Sequence, residues 1–267
     1  MKSLRVVTLN LWNVTGDWEQ RREVIRRDLR ALDPDLIAFQ EVVDPGQTGD
    51  FDQARDACEG LGVAAHSQFV SAPAAGWPIG NSILSRWPIR RHVSFELPNG
   101  GTSEVRAALF TEIDSPIGVI PFATTHLNWK LDEGHVRVEQ VKALVEKLES
   151  LASADDYPLI IAGDFNAEPI SDEIRYLRGH TGLGGKCTYF ADSFATAGDG
   201  SPGYTFCRHN PNAATSFEPD RRLDYIFVRR REALLRGHAL RSWVCFDKPR
   251  EEVWASDHFG VAVDLGV

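Results

Sequence analysis

Short apolar runs rich in β-branched residues alternate with polar punctuation along this chain, and the residues that close those runs are acids, amides and histidines. Leu4 to Leu9 reads as a buried strand ending at Asn10. Asp17 precedes Trp18 and is followed three places on by Gln20, a box-like helix start. Trp18, Ile25, Leu29 and Leu32 then recur at helical spacing until Asp33-Pro34 stops the turn. Leu36 to Phe39 predicts a second buried strand ending at Gln40-Glu41. Ile79 to Leu84, Val93 to Leu97, Val105 to Ile113 and Ile117 to Thr124 read as successive strands, parted by turns at Trp87-Pro88, Asn99-Gly100-Gly101 and Asp114-Ser115-Pro116. Their adjacency predicts antiparallel pairing.

Residues 134–151 carry helical spacing, with Val138, Val141, Val145 and Leu148 on one face, and Pro158 to Ala162 makes a strand leading into Gly163-Asp164. Residues 197–222 are rich in Gly, Pro, Asn and Ser and read as a long polar loop, which in a compact domain is functional or mobile. Leu223 to Val228, Ala233 to Val244 and Phe259 to Leu265 supply the last strands. No repeat of fixed period and no low-complexity tract interrupts the pattern. Strands outnumber helices and helices separate several of them. The expected class is therefore α/β: two mixed, mostly antiparallel sheets packed face to face, with helices on the outer faces. Strand ends lying side by side would form the pocket.

Composition narrows this picture. A chain of 267 residues without an internal break fits one domain spanning 1–267. Acids outnumber bases 38 to 29, a formal charge of −9, which disfavours a protein that coats a polyanion by counterion release. Arg21, Arg22, Arg26, Arg27 and Arg30 crowd one segment, but Glu19, Glu23, Asp28 and Asp33 interleave with them, as on a solvated helix face. The four cysteines, Cys58, Cys187, Cys207 and Cys245, lack CxxC spacing and read as buried free thiols; only Cys187 and Cys207 are close enough in sequence for a small loop staple. The amino-terminal residues run straight into strand-like sequence without a signal-type apolar region, and no apolar stretch reaches the roughly 18 residues of a membrane span. A cytoplasmic monomer is expected.

The polar residues at the strand ends suit one chemistry. Hydrolysis of a phosphate ester needs charge neutralised on the non-bridging oxygens, an activated in-line water and a stabilised leaving oxygen. Glu41 is the candidate hard oxygen ligand for Mg²⁺, and Asn10 can add a neutral amide oxygen without further negative charge. Taken singly, Glu41 reads as a loop-edge acid and Asn10 as a turn former; their occurrence with the later clusters changes the reading. In Gly163-Asp164-Phe165-Asn166, two short polar side chains two residues apart share one side of an extended segment, although an Asx turn would use the same residues. Asp164 is the candidate for orienting water, and Asn166 for bonding a phosphoryl oxygen.

His258 is the candidate base, held by a carboxylate that fixes its tautomer; Asp224 and Asp257 both qualify as that partner. Asp257 is otherwise a metal-supporting acid. His126, with Asn128 two residues later, can donate to the phosphate or the leaving oxygen, and Asn128 and Arg106 are candidate substrate contacts. Zinc-type HxxxH or Cys/His spacing is absent from the sequence.

Thr8-Leu9-Asn10, Gln40-Glu41, Gly80 to Arg86, Thr125-His126-Leu127-Asn128, Gly163 to Asn166, Arg222-Leu223-Asp224-Tyr225-Ile226 and Ser256-Asp257-His258 together resemble the endonuclease/exonuclease/phosphatase superfamily, in the family's order. The resemblance implies a four-layered α/β sandwich, a divalent cation (Mg²⁺ or Mn²⁺) and hydrolysis of phosphodiesters or phosphomonoesters. It implies Glu41 as principal metal ligand with Asn10 and Asp257 beside it, Asp164 and Asn166 as the pair that positions the nucleophile, and Asp224 as the partner of His258. His126 is similar to the second histidine of the deoxyribonuclease-like and sphingomyelinase-like branches. Trp12 stands where the abasic-site branch has an acid. The expected activity is a divalent-metal-dependent phosphoesterase acting on a phosphate-ester substrate. Two alternatives stand beside it: a nuclease, which the net charge disfavours, and a catalytically inactive binding protein on the same scaffold.

Overall fold

A computed structural model describes residues 3–44, 52–70, 78–153, 156–229 and 236–267. Among these residues two six-stranded sheets stack face to face. The first is built from β1 (Ser3–Asn10), β2 (Leu36–Val43), β3 (Ala64–Val70), β4 (Ile79–Ser85), β11 (Ala239–Cys245) and β12 (Gly260–Gly266). The second takes β5 (Ile89–Glu96), β6 (Ala107–Ser115), β7 (Gly118–His126), β8 (Ile160–Asp164), β9 (Phe190–Asp192) and β10 (Asp224–Arg229). Their orders are β11-β12-β1-β2-β4-β3 and β5-β6-β7-β8-β10-β9. The pairs β1–β2 and β7–β8 are parallel, and every other neighbouring pair is antiparallel.

Alternation along the strands sorts side chains between two environments, because successive residues face opposite sides of a sheet. Leu4, Val6, Leu36, Ala38, Val261 and Val263 from the first sheet meet Leu109, Phe122, Ile160, Ala162 and Ile226 from the second in the central core. The residues between them face outward. Val7, Leu9, Ile37 and Phe39 pack on Val24, Ile25 and Leu29 of α1 (Trp18–Leu32) and on Ala54 and Ala57 of α2 (Gln53–Ala57). Ala123, Ile161, Tyr225 and Phe227 pack on Val141, Leu144 and Leu148 of α3 (Gly134–Leu151), with Ile174 and Leu177 of α4 (Asp172–Leu177). Four layers result, as the strand-helix alternation predicts.

The expected start of α1 is present: Asp17 accepts from the Gln20 backbone N–H at 3.1 Å and from its side-chain amide at 2.8 Å. The solvated arginine face is corrected. Arg21 and Arg26 are buried, Arg21 because its guanidinium donates to the carbonyls of Leu11, Asn13, Thr15 and Ala255, and Arg26 because it pairs with Asp56, Glu23 and Glu59. On α3 the inward face runs through Arg137, Gln140, Val141, Leu144 and Leu148, while Val138 is only half-buried.

All four cysteines are free; Cys58 and Cys245 are buried, but Cys187 is exposed and Cys207 half-buried, so the loop staple is absent. The short helices α5 (Ser193–Ala197) and α6 (Pro211–Ala214) add to the elements above; α6 lies within the stretch expected to be a polar loop, and α4, β9 and nearly all of α5 lie where the sequence pattern carries no prediction. Of the strand predicted over 233–244, residues 233–235 lie outside the described residues and the strand begins at Ala239.

Candidate active site

The topology brings the polar strand ends together. Asn10 closes β1 beside Gln40 of the parallel β2, and β12 runs antiparallel to β1 with Thr8 opposite Val261, so the residues just before Gly260 flank the same end. In the other sheet Asp164 stands opposite both His126 of β7 and Asp224 of β10. A buried amide bridges the two halves: Gln40 Nε2 donates to Thr8 Oγ1 at 3.1 Å and to Thr124 Oγ1 at 2.9 Å. β2 does not end at Gln40, as expected, but continues to Val43 past a bulge between Phe39 and Val42. Glu41 sits in that bulge with a left-handed φ of 54°, uncommon for a residue with a Cβ and concentrated at functional sites.

One oxygen is the meeting point. Asp164 Oδ2 accepts from Asn10 Nδ2 at 3.1 Å and lies 3.4 Å from His126 Nε2 and 3.7 Å from His258 Nε2. Asn10 also reaches Glu41 Oε1 at 3.3 Å, and Asn13 donates to the other Glu41 oxygen at 3.1 Å. His258 Nδ1 lies 2.9 Å from Asp224 Oδ2, which settles the alternative left open in the sequence: Asp224, not Asp257, holds the imidazole. Ser256 Oγ donates to Asn10 O at 2.7 Å, tying this segment to the end of β1, and lies 3.1 Å from Asp257 Oδ1.

Proton affinities follow from this crowding. Burial works against a charged His258, but Asp224, Asp164 and Asp257 outweigh it and hold its pKa well above the ordinary histidine value. His126 moves the other way, kept neutral by burial, Arg106 and His258. Burial, with Glu41 and Asp164 adding to it, pushes the Asp257 carboxyl up to about 6, against His258 and the Ser256 hydroxyl. Asp164 is also raised, by burial first and then by Asp224.

Carboxylates that resist ionising together, lined by neutral amides, fit a hard divalent cation, which takes oxygen donors and would relieve their repulsion. Asp164, Asp224 and His258 also place one ligand atom each within 4.8 Å of one another. His258 Nδ1 and Asp224 Oδ2 are engaged with each other, while the other Asp224 oxygen is buried without a hydrogen-bond partner.

Three expected contacts stand apart. Asn166 has φ 49° and donates its backbone N–H to Asp164 Oδ1 at 2.9 Å, while its side-chain amide goes to Leu127 O at 3.1 Å. The segment is an Asx turn and not extended, so the two side chains do not share a side. Asn128 is fully buried, bonded to Gln140 at 2.7 Å and Glu133 at 2.7 Å, which anchors the segment after His126 to α3. Arg106 is paired with Glu104 through Nε at 3.1 Å and Nη2 at 3.0 Å.

The sequence reading missed several supports. Thr205 Oγ1 receives the backbone N–H groups of Leu223 and Asp224 at 3.0 and 3.1 Å, and Asn210 Nδ2 donates to the carbonyls of Ser256 and Asp257. The polar 197–222 loop is thus partly buried and braces both halves of the His258–Asp224 pair. Asn13 left a signal, an Asn two places before Thr15 in turn-forming sequence, which its Oδ1 bond to the Thr15 N–H at 2.9 Å fulfils. Thr205 and Asn210 left none.

Buried acids, amides and two imidazoles thus converge from the facing ends of the two sheets. Residues 7–258 match the Endonuclease/Exonuclease/phosphatase family, and the chain belongs to it. It is 25% identical over 271 residues to nocturnin of Xenopus laevis, a match covering 93% of this chain and 64% of that protein. To Protein angel of Drosophila melanogaster it is 26% identical over 179 residues, covering 62% of this chain and 48% of that protein. The chain thus spans less than two thirds of the length of these curated relatives. Among solved structures, D. rerio TDP2 complexed with single-strand DNA product superposes with a TM-score of 0.77 at 17% identity, covering 100% of both chains. A mannosyl-6-phosphatase of Bacteroides thetaiotaomicron gives 0.71 at 24% identity, over 99% of this chain and 100% of that one. These likenesses show a shared fold.

Proposed function

We propose that the chain is a Mg²⁺- or Mn²⁺-dependent phosphoesterase that hydrolyses a phosphodiester or a phosphomonoester with an activated water as nucleophile. The convergence of Asn10, His126 and His258 on Asp164 Oδ2, from both sheets, is the observation that carries this reading. Glu41 would hold the cation, with Asn10 and Asp257 beside it. The bound cation supplies charge neutralisation at the phosphoryl oxygens and polarises water. Asp164 orients the nucleophile, and the Asn166 backbone N–H keeps its carboxylate in place.

His258 carries the proton traffic. Asp224 fixes Nδ1, so Nε2 faces the pocket. The surrounding acids favour the charged ring, which donates; a bound cation, by offsetting those carboxylates, would let Nε2 accept a proton from water. His126, neutral, is suited to donate a hydrogen bond to a developing oxyanion.

His258→Ala and Glu41→Gln are each expected to lower Mg²⁺-supported turnover of bis-p-nitrophenyl phosphate by at least about a hundredfold, on the scale of a lost general base or metal ligand. Turnover unchanged in either variant removes that residue's role. Calorimetric Mg²⁺ binding without hydrolysis of any DNA, RNA, phosphocholine lipid, inositol phosphate or nucleotide would favour the inactive-binder alternative.

A further inference from the structure

Arg21 of α1 is 3% exposed, and among the described residues every hydrogen bond of its guanidinium goes to a main-chain carbonyl. Nε donates to Thr15 O at 3.0 Å, Nη1 to Leu11 O at 2.8 Å and Ala255 O at 2.9 Å, and Nη2 to Asn13 O at 2.8 Å and Trp12 O at 3.4 Å. The planar fork is used in full, which is what a buried cation requires. The Trp12 and Trp18 rings flank it, their centres 5.2 and 5.3 Å from the guanidinium carbon. Burial lowers its pKa to about 10, against the pull of Asp257, Glu41 and Asp17, so the group stays charged at neutral pH. Arg26 on the same helix is instead paired with Asp56, Glu23 and Glu59.

The carbonyls that Arg21 gathers belong to two segments of the site: residues 11–15, which leave β1, and Ala255, two residues before Asp257. In the first segment the Trp12 N–H donates to Asn10 Oδ1 at 2.9 Å, which turns the Asn10 amide nitrogen toward Glu41 Oε1 and Asp164 Oδ2. The Asn13 carbonyl also accepts from Gln53 Nε2 at 2.7 Å, and Asn13 Oδ1 takes the N–H and hydroxyl of Thr15 at 2.9 and 2.7 Å. Its amide nitrogen is thereby left facing Glu41 Oε2 at 3.1 Å. Trp12 and Asn13 have left-handed φ values of 55° and 40°, so this loop holds a shape that its own backbone does not favour.

We propose that Arg21 is a positioning residue for the cation site: it locks the 11–15 loop to the segment before Asp257, so that Asn10 and Asn13 hold both Glu41 oxygens in place. This rests on the reading of Glu41 as the cation's ligand. Groups that orient a ligating carboxylate govern metal affinity on a scale of about ten- to a hundredfold. A lysine would keep the charge but not the fork.

The test is calorimetric Mg²⁺ binding to the full chain, with thermal unfolding alongside. Arg21→Lys and Arg21→Met are both expected to weaken Mg²⁺ binding by about tenfold or more. Arg26→Gln is expected to lower Tm and leave Mg²⁺ binding unmoved, which separates a loosened α1 from a displaced ligand. Charge alone gives the opposite sign, because removing one cation near Glu41 and Asp257 favours binding of another. Tighter binding by Arg21→Met, or wild-type binding by either Arg21 variant, overturns the inference. Should neither Arg21 variant fold, Asn13→Gly decides, since glycine accepts the φ of 40° and keeps the carbonyl that Arg21 bonds. Its Mg²⁺ affinity is expected to fall by about tenfold, and an unchanged affinity overturns the link to Glu41. A wild-type chain that binds no Mg²⁺ removes the Glu41 reading as well; binding lost in Glu41→Gln but kept in the Arg21 variants removes this inference alone.

Discussion

Asp257 and His258 both bind their protons more tightly in the folded chain than in an unfolded one, and the sign of the consequence is the same for each. A folded-state pKa above the unfolded value contributes stability that is present at low pH and lost as pH rises through the folded pKa. For Asp257 that window runs from about 3.8 to about 6, and for His258 it begins near 6.5 and extends upward. In chelator, the stability difference between wild type and Asp257→Asn should shrink in wild type's disfavour as pH climbs from about 4 to about 6. A difference that does not vary across that range would show that Asp257 is not crowded by its neighbours. Because a cation competes with that proton, Mg²⁺ affinity measured calorimetrically should tighten as pH rises through about 6 and lose this dependence in Asp257→Asn. At this scale the sequence named Asn10, Glu41, His126, Asp164, Asp224, Asp257 and His258, because ligand chemistry restricts residue type. It could not reveal the left-handed backbone of Glu41 or Asn166, nor that Asn128 is consumed by Gln140 and Glu133.

Two elements set the register that makes the cluster. β7 and β8 pair so closely at Gly163 that an added Cβ would lie 2.1 Å from the Thr125 carbonyl oxygen, and its φ of 149° already excludes ordinary side chains. Gly163→Ala should therefore part the two strands beside His126 and Asp164. We expect a loss of at least about 2 kcal/mol in denaturant unfolding, with turnover reduced alongside. Stability and activity both retained would mean that the pairing yields without moving Asp164. α3 was legible down to its bounds, since a long amphipathic stretch opened by Gly134 leaves few choices. β3 was not: Ala64 to Val70 is a half-exposed edge strand with no continuous apolar run. The length of the loop over 197–222 suggests a functional or mobile segment, but its support of Asp224 through Thr205 comes from tertiary contacts that no local pattern encodes.

For the molecule as a whole, the central core draws side chains from both sheets, so neither sheet can lose its partner and stay packed. A single cooperative thermal transition is expected, and two separated transitions would contradict one domain. The formal charge of −9 argues for a substrate held through few phosphates. The slope of log activity against log salt on the preferred substrate should be near about −1, whereas a slope of about −5 or steeper would indicate contacts along a nucleic-acid backbone. In the proposed mechanism one centre joins two roles, Glu41 serving the cation and His258 the proton. Titrating Mg²⁺ into wild type, Glu41→Gln and His258→Ala while following bis-p-nitrophenyl phosphate hydrolysis separates those roles. Glu41→Gln is expected to move the Mg²⁺ half-saturation point upward, while His258→Ala lowers the plateau and leaves that point in place. Full wild-type turnover in excess chelator, or identical Mg²⁺ curves for all three proteins, would contradict this mechanism.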